Sequence, residues 1–395
     1  MKRYRIWFIL LAAWLLVACS KESEQTENPT PPPTPVTPTT PPEEQPPTEE
    51  PEDTTQKPPI VQVDGPMWLV STTRAGVYDA NEDYSPIQIF VTSGATETEL
   101  KSMREGQFLY DAGWYSTIGL KESDPYVSIY GFSPADAASC TISPLSGTSY
   151  HTGAVLEMKN VNAASGEDLC VIVGVKYSEE ASTALGIPER GKFGFKKGTD
   201  NYISLLLDHV FARLDFKVKI GEDYSKRRHV RIKKLELQSA YKLTGMTIKL
   251  TSGSNVFAVD YNIQSVTNDA DKPMGIVYDF SADTDPNNQE GKPLTTEGTV
   301  FPGFFAPDTG AKVGPGLSLI CTYDVYSIDI NNKVGERVRE NCVAVNSLKN
   351  VFTSLEAPLK RGQKTTLTLT VEPTYLYQLS DDELDNPGIS MKVEH

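Results

Sequence analysis

The sequence predicts an all-β protein: β-sandwich domains in tandem behind an N-terminal leader and spacer. Apolar and polar residues alternate with a period of two in run after run, and sustained helical periodicity is missing. Clusters of Gly, Pro, Asn and Asp, such as "TDPNNQEGKP", punctuate the runs as turns do.

The chain opens on Lys2, Arg3 and Arg5, and an apolar stretch runs from Ile6 to Val17. A basic segment before a short apolar one reads as a signal peptide, residues 1–19. It falls short of the ~20 apolar residues of a membrane-spanning helix. Leu16-Val17-Ala18-Cys19 resembles the lipobox of bacterial lipoproteins, in which small residues admit a peptidase and the new terminal cysteine, here Cys19, carries acyl chains. Each buried CH₂ adds ~0.8 kcal/mol, so several chains hold a protein durably at a membrane. Lys21, Glu22 and Glu24 close behind look like the surface-export signals of Bacteroidetes lipoproteins.

Residues 20–60 read as a disordered tether rich in Pro, Thr and Glu. Little in it is apolar, so the entropy of ordering it cannot be offset. Its prolines favour an extended, semi-rigid chain of ~3 Å per residue. Its acidic residues carry about half of the net charge of −15, which leaves the remainder only mildly acidic. That argues against nucleic acid or anionic lipid as the partner of the folded body.

About 335 residues remain, enough for two domains. The expected division is 61–200 and 201–395, just before the longest alternating run. In the first part "SPIQIFV" puts Ile87 and Ile89 on one strand face, and "YVSIYGF" alternates in the same way. "LCVIVGVKY" is nearly continuous in apolar and β-branched residues, as a strand buried on both faces is. "ATETELKSMREG" is the one stretch expected to form a short helix. In the second part "VFARLDFKVKI" sets Val210, Ala212, Leu214, Phe216, Val218 and Ile220 against Phe211, Arg213, Asp215, Lys217 and Lys219, a long strand with one wet face. "KTTLTLTVEP" repeats the device with Leu367, Leu369 and Val371 inside. "KRRHVRIKK", residues 226–234, reads as a strand with a charged outer face.

Cys321 and Cys342 flank Asn331-Asn332. If those asparagines form a two-residue hairpin turn, the cysteines face each other. They are then either a disulfide of an oxidising compartment or two buried hydrophobes, and the same choice holds for Cys140 and Cys170.

Signals of catalysis are poor. His151, His209, His229 and His395 are scattered, and none stands at metal-ligand spacing from another ligand. His209 reads as a packing or hydrogen-bonding residue. No nucleophile elbow or phosphate loop occurs. Asp283, Asp285 and Asn287 mimic an EF-hand, but Asn288 stands where glycine is needed and Leu294 where glutamate should bind. Asp381, Asp382, Glu383 and Asp385 form either a cation or acid–base cluster or a solvated turn. No enzymatic activity, cofactor or metal is expected.

"WYSTIGLKESDPYVSIYGFSP", "DHVFARLDFKVKI" and "LKRGQKTTLTLTVEPTYLYQLSDDELDNP" resemble the fimbrillin-family lipoproteins of Bacteroidetes, subunits of type V pili and their relatives, over residues 66–395. The resemblance implies two transthyretin-like β-sandwich domains in tandem. It also implies export as a lipoprotein to the cell outer membrane and strand exchange with other fimbrial subunits at the cell surface. In such a scheme a protease cuts after a basic residue near the start of the first domain, and a partner's C-terminal strand fills the vacated groove. Arg74 in "GPMWLVSTTRAGV" is the candidate processing site, in a small, polar, turn-like context. Ile389, Met391 and Val393, in an extension over 375–395, form either a donor strand or the last strand of the protein's own sandwich.

The expected function is that of a structural fimbrial subunit supporting adhesion. The alternative is a monomeric surface adhesin or glycan-binding lipoprotein, or the lipid-retaining anchor subunit of a fimbria. A host protein or glycan would be the partner in that case, with Trp114, Tyr115 and Tyr130 as candidates for stacking on sugars.

Overall fold

The runs least interrupted by charge form the centre of the first sheet. Ile87–Gly94 (β2), Tyr126–Ser133 (β5), Cys170–Ser178 (β8) and Asn201–His209 (β10) are buried over most of their length. Their side chains divide between two cores, one on each face of the sheet. The computed structural model describes residues 67–75, 84–161, 168–181, 185–267, 274–287, 289–307, 316–348, 359–372 and 388–394. All belong to one unit, Pro59–His395.

Met67–Ala75 (β1), Ser102–Tyr110 (β3) and Trp114–Ser116 (β4) complete the main path of the first sheet, in the order β1-β10-β8-β5-β2-β3-β4. Gly194–Lys196 (β9) adds to β5. The two ends of the path, β1 and β4, pack against each other, so the sheet curls round a core of its own. Ile87, Ile89, Val127, Ile129, Ile172, Ile203, Leu205 and Leu207 fill that core.

The opposite face, with Phe90, Tyr130, Phe132, Val171 and Val173, meets Leu156, Met158, Met246, Ile248 and Leu250 in the same core cluster. Those partners lie on a second sheet: Ala258–Ser265 (β14), Tyr241–Thr251 (β13), Ser149–Lys159 (β7) and Ser139–Ser146 (β6), in that order. The two remaining sheets share a core. Gly275–Asp279 (β15), Arg228–Ser239 (β12), Leu317–Ile328 (β18) and Val334–Ser347 (β19) form one, with Lys292–Pro293 (β16) beside β12. Thr299–Phe305 (β17), Ala212–Ile220 (β11), Lys364–Glu372 (β20) and Gly388–Glu394 (β21) form the other. Glu222–Ser225 (α1) is the one helix among the described residues.

Four expectations are corrected. Residues 95–101 form the turn between β2 and β3, and Ser102 onward is strand. Pairing along Ile87↔Phe108 to Ser93↔Ser102 outweighs a weak helical pattern. Residue 200 is no boundary between sheets: β10 pairs with β8, and β7 pairs with β13 across it. Phe211, placed on a wet face, is 1 % exposed, because it precedes β11 rather than joining its alternation. Arg231 and Lys233, placed on an outer face, are covered by the β16 region and by β18. Buried cations demand partners. Arg231 donates to Asp285 Oδ2 at 3.1 Å and to the Glu290 carbonyl at 2.9 Å, and Lys233 Nζ lies 2.8 Å from Glu290 Oε2.

Candidate functional site

Among the described residues β1 has one ladder partner. It runs parallel to β10, from Met67↔Asn201 to Ala75↔Asp208, with a bulge between Leu69 and Ser71. Met67 and Leu69 are buried in the core of the curled sheet beside Ile203, Leu205 and Leu207. The strand is therefore a plug as well as an edge. Without it, β10 would present a row of unpaired N–H and C=O groups next to an apolar slot. Arg74 pairs with Leu207 one residue before the strand ends. Its expected turn-like context is thus corrected to the end of a strand: Thr72 and Thr73 suit a ladder, and β10 supplies one.

β21 holds the edge of its own sheet. Ile389 pairs with Val371, Met391 with Leu369 and Val393 with Leu367, antiparallel and without a register shift. Of the two readings of this segment, the structure displays the protein's own last strand. Residues 373–387, with Asp381, Asp382, Glu383 and Asp385, lie outside the described residues, as do Cys19 and the tether.

Cys321 and Cys342 do not face each other. Cys321 pairs with Ala344, and Cys342 with Tyr323. The turn between β18 and β19 is longer than two residues: Asp329 Oδ1 accepts from the N–H groups of Asn331 and Lys333, and Asn332 takes φ 59°. A bulge at Asn341 (φ 52°), whose N–H donates to Asp324 Oδ1 at 2.7 Å, moves Cys342 further along. No disulfide joins the two cysteines. Burial pushes the Cys321 thiol up to about 12.

Asp324, fully buried, anchors this hairpin. It accepts from Arg337 Nη1 at 3.2 Å and lies 3.5 Å from Lys233 Nζ. The hydrogen bond to Glu290, followed by the charge of Asp324, raises the Lys233 pKa despite burial.

Of the aromatic residues expected to meet sugars, Tyr130 is buried and donates to the Tyr150 carbonyl at 2.9 Å, so it has no face to offer. Trp114 is part of an outward cluster the sequence did not single out. Tyr84 and Tyr110 stack with centroids 4.1 Å apart, and Trp114 meets Tyr110 edge-on at 5.4 Å. Asp168, Cys170 and His209 also come together, with ligand atoms all within 4.8 Å of one another. Spacing along the chain hides this group, because Cys170 and His209 meet only through the β8–β10 register. Among the described residues no helix is long and apolar enough to cross a membrane.

No protein-family model matches the chain, and no curated protein matches it. Solved structures do. A fimbrial protein from Bacteroides vulgatus is 11 % identical with a TM-score of 0.43, over 84 % of this chain and 99 % of its own. A protein from Bacteroides ovatus, provisionally described as a cell adhesion protein, is 10 % identical with a TM-score of 0.38, over 85 % of this chain and 97 % of its own.

Proposed function

We propose that the chain is a non-enzymatic structural subunit of a cell-surface fimbria. In this reading it is exported as a lipoprotein through Cys19, folds as two transthyretin-like sandwiches, and joins other subunits by processing and strand exchange. Fimbriae and adhesion are also what the similar Bacteroides proteins are named for.

The observation that carries the reading is the construction of β1. A single cut after Arg74 severs an edge strand held by a parallel ladder and by the buried side chains of Met67 and Leu69. Its departure leaves the β10 edge and a slot lined by Ile203, Leu205 and Leu207. A donated strand would restore the ladder and place alternate side chains in the slot. The outer membrane is then the precursor's anchorage, and other fimbrial subunits are its partners.

The test uses the full chain expressed on its native surface, beside Arg74→Ala and a deletion of residues 388–395. Loss of detergent-resistant polymers in the Arg74 variant supports the reading. Polymers unchanged in both variants overturn it.

The outward cluster of Tyr84, Tyr110 and Trp114 favours a second reading, a surface adhesin that binds glycans. Carbohydrate-array binding that disappears in Tyr110→Ala, with no polymer formed by the parent chain, would favour it over the first.

A further inference from the structure

Asp168, Cys170 and His209 sit where β8 begins and β10 ends. Cys170 pairs with His209 in the ladder, and Asp168 lies two residues before Cys170. Cys170 is 0 % and His209 1 % exposed, and the Asp168 side chain is 11 % exposed. His209 Nδ1 lies 2.5 Å from Asp168 Oδ2, and Cys170 Sγ lies 3.4 Å from Nδ1 and 3.5 Å from Oδ2.

We propose that Asp168 Oδ2, Cys170 Sγ and His209 Nδ1 are the three protein ligands of a zinc site. Tetrahedral zinc, with Zn–S of ~2.3 Å and Zn–N or Zn–O of ~2.0–2.1 Å, separates sulfur from its neighbours by ~3.5 Å. The two sulfur distances already have that value. The third, from Nδ1 to Oδ2, must open to ~3.3 Å, which rotation of the Asp168 side chain supplies. In the metal-free chain these two atoms lie within hydrogen-bond distance of each other. On binding, the Nδ1 proton of a neutral imidazole passes to Nε2, the thiol proton leaves to solvent, and the ion takes the vacated position. Water completes the fourth position, as at other zinc sites with three protein ligands.

The choice of ion follows from charge and softness. One thiolate and one carboxylate neutralise a divalent ion, so the buried site carries no net charge and avoids most of the desolvation cost. Thiolate and imidazole suit zinc, whereas calcium and magnesium prefer all-oxygen sites. The ion would clamp β8 to β10 beside the point where the chain leaves the first sheet, next to the Val210 N–H bond to the Leu169 carbonyl at 2.9 Å. This inference is independent of the fimbrial reading.

Cobalt(II) is the probe, titrated into the full chain. One equivalent should produce a thiolate-to-cobalt charge-transfer band with tetrahedral visible bands, and one equivalent of zinc should abolish both. Cys170→Ser should lose the charge-transfer band, and Cys140→Ser should keep it. Asp168→Asn, at the most exposed ligand, leaves the buried pair in place. It should keep the charge-transfer band and weaken zinc binding by at least about tenfold, since even outer partners of a ligand are worth 10–100-fold. No charge-transfer band in the unmodified chain overturns the proposal. So does a band unchanged in Cys170→Ser, or an unaltered zinc affinity in Asp168→Asn.

Discussion

Leu69→Ala asks how firmly β1 is held. Leu69 is 4 % exposed, in the core with Ile203, Leu205, Leu207 and Val175. The substitution removes three carbons, ~0.8 kcal/mol each. A residual cavity brings core Leu→Ala changes to roughly 2.7–5.0 kcal/mol. An edge strand collapses onto such a cavity more readily than a central one, so about 3 kcal/mol is the working figure. Most of this loss falls on local release of β1, because past Val70 the strand continues as the polar Ser71-Thr72-Thr73-Arg74 and pairs on one side only. At 1.4 kcal/mol per factor of ten, the released population rises about 150-fold. Limited digestion of the folded chain with trypsin reads this directly, as the rate at which the product beginning at Ala75 appears. When closing outpaces cleavage, that rate follows the open population. The expected result is cleavage after Arg74 accelerated about 150-fold, with other basic sites nearly unchanged. Acceleration below about fivefold, or equal acceleration at every site, would refute local release of β1 as the event that exposes Arg74.

Three further outcomes follow from the described contacts. Asp324→Ala removes the acceptor shared by Arg337 and the Asn341 N–H, and should cost about 3 kcal/mol in urea unfolding, the low end for a broken buried pair because Lys233 keeps Glu290; a loss under about 1 kcal/mol would contradict the anchoring role. The Ser93 hydroxyl, 2.7 Å from Asp124, is the main reason the Asp124 carboxyl titrates below its ordinary value. A depressed carboxyl contributes stability that is present above its unfolded-state pKa and lost as pH falls through the folded one, so Ser93→Ala should flatten the acid limb of the stability curve below about pH 4; an unchanged limb counts against it. Cys321, with its thiol raised to about 12, should resist alkylation at pH 8 until urea unfolds the chain, and labelling at the native rate of an exposed thiol would show the core is open there.

What was legible in the sequence is what a single strand reveals about itself. The apolar faces of β11 and β20 and the unbroken apolar run of β8 each report their own burial, and the structure shows those burials, although Asp215, expected on the wet face of β11, is buried as well. What was hidden depends on neighbours. Arg231 and Lys233 look like surface cations until Asp285, Glu290 and Asp324 arrive from segments more than fifty residues away. The Cys321 register failed because the turn is longer and the β18–β19 ladder shifts three times, once where the Asn341 N–H bonds to Asp324, which no turn rule sees. Asp168, Cys170 and His209 escaped notice for the same reason: sheet order, not spacing, brings them together. Arg74 lay at a readable position in the chain, but whether it is loop or ladder was decided by β10.

The two edge strands at issue are not held alike, and in the proposed assembly the difference would give strand exchange a direction. β1 is parallel, bulged after Leu69, and buries Met67 and Leu69 near its start. β21 is antiparallel, in unbroken register over seven pairs, with Ile389, Met391 and Val393 opposite the buried Val371, Leu369 and Leu367. Parallel pairing is slightly the weaker per residue, and a bulge interrupts it further. In the proposed assembly β1 would therefore be the strand to leave first. Its departure opens β10 without disturbing β20, whereas donation of β21 must first break a regular ladder and uncover the β20 edge. On the proposed reading the chain would accept a strand at low cost and give one only when an open slot elsewhere compensates for the ladder it loses. In that reading cleavage after Arg74 would supply such a slot on each neighbouring copy and make processing the step that gates assembly.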